Sequence, residues 1–96
     1  MKSVTVQNVP QDAQLIDVRE VDEYAAGHAA NAVNLPMSEF VQHVDKLDQQ
    51  RDIYVICQGG GRSAKVCEYL EARGIEAINV EGGTGAWQQA NLPMES

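Results

Sequence analysis

The chain has little positive charge. Seven Lys and Arg stand against 14 Asp and Glu, a formal charge of −7 at pH 7. Nucleic-acid partners need clustered Lys and Arg, so this balance argues against nucleic-acid binding, and it disfavours an anionic membrane surface. It favours solubility and says little about fold. No run of about 18 apolar residues occurs, so the sequence holds no transmembrane helix. The start, Met1 to Asn8, lacks the long apolar segment of a secretory signal, and cytoplasmic residence is expected. Cysteine and histidine are scarce, with two of each. Cys57, Cys67, His28 and His43 show no zinc spacing, so no metal site is expected. A predicted helix separates the two cysteines, which makes them a poor disulfide pair, and reduced thiols are expected. Low-complexity tracts, charge runs and internal repeats are absent.

What remains is an ordinary small globular chain. Ninety-six residues, 44% of them hydrophobic, suit one domain over 1–96. Such a chain buries only about 60–65% of its unfolded surface, enough for a single core. Short apolar runs alternate with helical patterns. Val4 to Val6 reads as a short edge strand, and Leu15 to Val18 as a buried strand. Val21 to Ala26 reads as a helix with Asp22 and Glu23 in its first turn, ended by Gly27. Ala32 to Leu35 is a strand closed by Pro36. Ser38 is an expected N-cap for a helix bearing Phe40, Val41, Val44 and Leu47. Ile53 to Ile56 is the most strand-like run and is expected at the centre of a sheet. Ala64, Cys67 and Leu70 then fall on one face of a helix that Gly74 ends. Ile75 to Val80 is the last strand, and Gly82 to Gln89 a final helix with Trp87 as a core anchor. This alternation predicts an α/β fold with a parallel sheet of four or five strands and helices on its faces.

One stretch carries chemistry. Cys57 ends the central strand, Gln58, Gly59, Gly60 and Gly61 form a turn, and Arg62 and Ser63 open a helix. In open parallel sheets, ligands sit outside the carboxyl ends of the strands. A cysteine reacts as its thiolate, which is the minor form of a free thiol at neutral pH. Amides at a helix N-terminus favour an anion, and glycines let backbone N–H groups converge on one point. Arg62 is expected to add a permanent positive charge, and Ser63 a hydroxyl donor or a helix cap. Cys57 is therefore the candidate nucleophile. Cys67 is read as a core thiol, with a resolving role beside Cys57 as the alternative. His28 is expected to be structural at a turn, and His43 a solvated helix residue.

The chain resembles the single-domain rhodanese family of sulfurtransferases over nearly its whole length. Leu15-Ile16-Asp17-Val18-Arg19-Glu20, Glu23-Tyr24, Gly27-His28 and Ala32 to Pro36 are similar to its N-terminal signature. Cys57 to Ala64 is similar to its active loop, and Gly82-Gly83, Trp87 and Leu92-Pro93 to its C-terminal signature. The resemblance implies a central five-stranded, mostly parallel sheet flanked by helices. It implies a sulfane sulfur passing from thiosulfate, or another donor, through a Cys57 persulfide to cyanide or a thiol acceptor. Cys57 is then catalytic, and Gln58, Gly59, Gly60, Gly61, Arg62 and Ser63 bind substrate, with no cofactor. Asp17 and Arg19 are expected to form a structural pair. Ala29 and Asn31 depart from the usual larger aliphatic and glycine, so the turn after His28 is expected to differ.

Two other functions compete with turnover of a small donor. A sulfur carrier in a relay would hold the persulfide between two partner proteins, and the neutral loop favours it. A cysteine phosphatase or arsenate reductase would share the fold. Those related enzymes place one residue more between Cys and Arg than the four found here, which makes a wider cradle for an oxyanion.

Overall fold

The structure is a computed structural model that describes residues 1–96. Its strands are β1 (Lys2–Val4), β2 (Gln14–Asp17), β3 (His28–Ala29), β4 (Val33–Asn34), β5 (Ile53–Ile56), β6 (Ile78–Val80) and β7 (Met94–Glu95). Its helices are α1 (Val21–Ala25), α2 (Phe40–His43), α3 (Gly61–Ala72) and α4 (Gly83–Gln89). Five strands form one parallel sheet in the order β1-β6-β5-β2-β4. The predicted α/β sheet is thus observed, with β5 at its centre.

Strand alternation sorts the apolar residues to the two faces of this sheet. Ile53 and Val55 of β5 join Ile16, Val18, Phe40, Val66, Cys67 and Leu70 on one face, under α2 and α3. Tyr54 and Ile56 point the other way, to Leu15, Val80 and Trp87 under α4. Full burial of each such aliphatic side chain contributes about 1.5–3 kcal/mol. β5 is buried at every position because both faces are covered, which is why its sequence is uniformly apolar.

The chain order places a switch point between β2 and β5. From β2 the chain crosses to β4 on one side, and from β5 it crosses to β6 on the other. The carboxyl ends of β2 and β5 therefore diverge over a crevice, where parallel sheets seat ligands. Cys57 follows β5, and Val18 and Arg19 follow β2.

Several local expectations need correcting. The first strand is Lys2–Val4, and Val6 begins a 3-10 turn. The last parallel strand starts at Ile78 rather than Ile75. Ser38 does not cap a helix; it sits in a 3-10 turn and its hydroxyl donates to Glu20 Oε1 at 2.6 Å. The pattern from Phe40 to Leu47 is split into α2 and a third 3-10 turn, Val44–Lys46. The core face of α3 is Ser63, Val66, Cys67 and Leu70, with Ala64 only half-buried. His43 is half-buried beside Glu39, at 3.5 Å.

His28 is buried in an antiparallel pair that local periodicity did not indicate, β3 with β7. Its ring stacks on Tyr24, with centroids 3.6 Å apart. Asn31 adopts φ 71 in the turn that follows. Asn tolerates this left-handed conformation better than most residues, so it serves where the family usually has glycine. Trp87 is a core anchor as expected, its indole N–H donating to the Pro93 carbonyl at 2.8 Å.

Candidate functional site

The loop from Cys57 to Ser63 is shaped from behind. The Thr84 amide donates to the Cys57 carbonyl at 2.8 Å, and the Gly85 amide to the Gln58 carbonyl at 3.1 Å. The Thr84 hydroxyl adds a bond to the Cys57 carbonyl at 3.1 Å. The first turn of α4 thus takes up the loop carbonyls with amides that a helix start leaves free. Gly83 makes this approach possible. It has φ 57, and a Cβ there would lie 2.4 Å from the Cys57 carbonyl oxygen. The second glycine of the C-terminal signature, Gly83, is therefore a packing requirement of the cysteine loop.

With its carbonyls held outward, the loop turns amides towards the sulfur. The Gly60 N–H donates to Cys57 Sγ at 3.1 Å. Gly60 has φ 108, which few side-chain-bearing residues adopt. Ser63 Oγ lies 3.3 Å from Sγ. Burial alone would raise the Cys57 thiol. The Ser63 hydroxyl outweighs it, with the Ser63, Gly60 and Gly59 amides, and the net direction is down, towards thiolate. Gly59 and Gly61 do not adopt positive φ and have open space above them. Gln58 is exposed, and its side-chain oxygen accepts from Arg19 Nη1 at 3.3 Å. Of the predicted residues, Gly60 and Ser63 thus contact the Cys57 sulfur, while the Gln58 side chain turns to Arg19.

Arg62 departs from expectation. Its Nη1 and Nη2 donate to Glu23 Oε1 and Oε2 at 2.7 and 3.0 Å. This bidentate pair neutralises the charge that the loop was expected to lend Cys57. The Arg62 bonds, with the Glu20 amide, hold the Glu23 carboxyl at about 2, below its ordinary 4.5. The thiolate is favoured by short-range hydrogen bonds, with Ser63 first among them, and Ser63 makes no capping bond to the helix.

Asp17 and Arg19 form the expected structural pair. Both are buried, Arg19 Nη2 donates to Asp17 Oδ2 at 2.9 Å, and a second bond runs to the Gly27 carbonyl at 2.8 Å. Arg19 thereby ties the β2 end to Gln58 of the loop. Such a pair is costly to break, because one partner's loss strands a buried charge.

Asn79, Thr84 and Glu23 complete the site without having been singled out for it. Asn79 Oδ1 accepts from Ser63 Oγ at 2.5 Å, and its Nδ2 reaches the Gly60 carbonyl at 3.4 Å. The available signal was Asn79 itself, a polar residue between Ile78 and Val80 in a buried strand. Such a residue needs partners in the fold. Cys67 is fully buried and free, and burial pushes its thiol up to about 12, with Glu71 adding to the rise. Elsewhere, a cleft of about 290 Å³ is lined by Val6, Val9, Pro10, Leu15, Trp87 and Leu92, among others. It contains no titratable side chain. No three His, Cys, Asp or Glu side chains converge as metal ligands do. No helix is long and apolar enough to cross a membrane.

Known proteins with this sequence pattern agree with the geometry. The profile of the Rhodanese-like domain matches residues 5–90. A putative sulfurtransferase of Bacillus subtilis, YtwF, is 39% identical over 83 residues, covering 86% of this chain and 81% of its own. The thiosulfate sulfurtransferase GlpE of Vibrio cholerae is 33% identical over 87 residues, 90% and 82% of the two chains. A crystal structure of a rhodanese-like domain protein from Staphylococcus aureus superposes with a TM-score of 0.86 at 40% identity, covering 100% of both chains. Matching along nearly its whole length in sequence and in fold, the chain belongs to the rhodanese-like family of sulfurtransferases.

Proposed function

We propose that this protein moves a sulfane sulfur from thiosulfate or another donor to cyanide or a thiol acceptor, through a persulfide on Cys57. The observation that carries this reading is the set of donors around Cys57 Sγ, the Gly60 amide at 3.1 Å and Ser63 Oγ at 3.3 Å. A thiolate held by hydrogen bonds is both nucleophilic and oriented. In the first step it attacks the outer sulfur of thiosulfate. The new Cys57 S–S bond forms, the donor S–S bond breaks, and sulfite leaves with the electron pair. In the second step cyanide attacks the terminal sulfur and leaves as thiocyanate, regenerating the Cys57 thiolate. Neither step needs a metal or an organic cofactor.

In this mechanism the loop residues have separate tasks. The Gly59 and Gly60 amides and the Ser63 hydroxyl stabilise negative charge on sulfur. Gly61 keeps the loop mouth open, and Gln58 and Arg62 border it. A reducing compartment such as the cytoplasm suits a thiol that must stay free. The four-residue spacing to Arg62 disfavours a phosphatase cradle.

A sulfur relay between partner proteins is the second reading. It is favoured by the exposed, bare Gly59 and Gly61, above which there is room for another chain to approach. Thiocyanate formation from thiosulfate and cyanide tests the enzyme reading. Cys57→Ser should abolish it, and undiminished turnover would remove Cys57 from the mechanism. For the relay, a sulfur-loaded cysteine desulfurase should add the mass of one sulfur atom to the protein. Transfer that never occurs in that mixture would exclude the desulfurase as donor.

A further inference from the structure

The loop residues Cys57 to Ser63 include a single cationic side chain, Arg62, and its charge is already matched. Glu23 grips both terminal nitrogens of Arg62 at 2.7 and 3.0 Å. The nearby Arg19 is matched as well, by Asp17 at 2.9 Å, and it is buried. The loop itself is otherwise neutral: Gln58, three glycines and Ser63. The reaction makes this arrangement consequential. A thiolate attacking thiosulfate brings a single negative charge against a double one. Attack on a persulfide, or on a thiosulfonate, meets one negative charge at most. A free guanidinium at the mouth would attract the dianion most strongly, because the Coulomb energy scales with donor charge. A guanidinium paired with a carboxylate gives little such preference.

We propose that Glu23 is a specificity-determining residue that withholds the Arg62 charge from the donor, so that the site favours sulfane donors with at most one negative charge on the reacting group, persulfides above all, over dianionic thiosulfate. This rests on the sulfurtransferase reading and names the donor class of the same site. With a persulfide donor R–S–SH, the Cys57 thiolate takes the outer sulfur together with its proton. The donor S–S bond breaks and the thiolate R–S⁻ departs. Atoms and charge balance with no further reactant. Gly59 and Gly61 fit this role, since a Cβ at either would meet nothing within 4 Å. The mouth is open to a bulky donor and offers no cation of its own to a small dianion.

Glu23→Gln tests the idea with little disturbance to the fold. Glu23 Oε1 also accepts from the Glu20 amide at 3.0 Å in a capping box, and Gln at this position retains that acceptor. Two donors with the same reacting sulfur make the comparison: thiosulfate, a dianion, and methanethiosulfonate, a monoanion. The readout is the ratio of their kcat/KM values at low ionic strength, with cyanide as acceptor. Glu23→Gln should raise the thiosulfate to methanethiosulfonate ratio roughly five- to tenfold. The gain should shrink with added salt, as screening predicts. Glu23→Asp, which keeps the charge, should stay near the wild-type ratio. An unchanged or lowered ratio in Glu23→Gln overturns the proposal, even if turnover with both donors falls. An equal change in Glu23→Asp also overturns it, because loop disturbance would then be the cause. If the wild-type protein gains no sulfur on Cys57 from either donor or from an organic persulfide, the sulfurtransferase reading itself fails. The mass of the intact protein reports that separately.

Discussion

Cys57 and Cys67 are both buried and both free, and their environments push them in opposite directions. Cys67 sits on the inner face of α3 among Ile16, Val18, Leu70 and other apolar side chains. Its thiol is pushed up to about 12 because burial disfavours the anion and nearby Glu71 repels it. Cys57 suffers the same desolvation. It also has the Ser63 hydroxyl and the amides of the loop, and these reverse the direction. Burial alone therefore says nothing about thiol reactivity here. The difference comes from donors aimed at one sulfur and absent from the other. The Cys57 donors stay aimed because α4 holds the loop carbonyls from behind.

The largest expected break in this contrast is Cys57→Ser. It should lower thiocyanate formation by about a thousandfold or more, while Cys67 stays unlabelled by sulfur. Labelling of Cys67 in that variant would make it a sulfur acceptor in its own right.

Gly83→Ala attacks the support behind the loop. The new Cβ would sit 2.4 Å from the Cys57 carbonyl in a residue with φ 57, so the loop or α4 must move. A loss of about 2–4 kcal/mol is expected in denaturant unfolding, with slower alkylation of Cys57. Wild-type stability would show that α4 is not tightly clamped to the loop.

Ser63→Ala removes the leading thiolate donor. The pH midpoint for Cys57 alkylation by iodoacetamide should rise, and the rate at pH 7 should fall roughly three- to tenfold. Asn79→Val sharpens the same point from the other side. The Ser63 hydroxyl has a single proton and three acceptors in reach, Asn79 Oδ1, the Gly60 carbonyl and Cys57 Sγ. Removing Asn79 leaves that proton more available to sulfur, so the midpoint should move down. If both variants shift the midpoint alike, loop disorder rather than proton sharing is responsible.

The smallest effect belongs to Cys67→Ala. It should cost about 1–2 kcal/mol at pH 7 through a small cavity and leave turnover unchanged. Its signature is alkaline. Above the ordinary value of 9.0 the unfolded chain releases this proton, while the folded chain keeps it to about 12. Rising pH in that window therefore favours unfolding. The wild-type protein should lose stability across it, and Cys67→Ala should lose less. Identical slopes would mean that Cys67 titrates alike in both states.

What the sequence determined by itself is what short windows encode. The apolar run Ile53 to Ile56 has no charge and can only sit in a strand covered on both faces. The Gly-rich turn after Cys57 and the helical spacing of Cys67 and Leu70 are equally local. Those features suffice for the βα alternation, the position of Cys57 at a strand end and its assignment as the candidate nucleophile. Split elements escaped for the opposite reason: Phe40 to Leu47 has helical spacing, yet packing breaks it into α2 and a 3-10 turn.

The tertiary structure alone decided the electrostatics of the site. Arg62 looks like a free cation beside Cys57 until the fold brings Glu23 to it from 39 residues away. Ser63 looks like a cap until Asn79 arrives from a strand 16 residues on. The β3–β7 pairing joins His28 to Glu95 near the end of the chain. Local periodicity carries no information on such pairings, because they form only after long loops have closed. Charge and proton ownership depend on who stands within about 3 Å, and only the folded chain determines that.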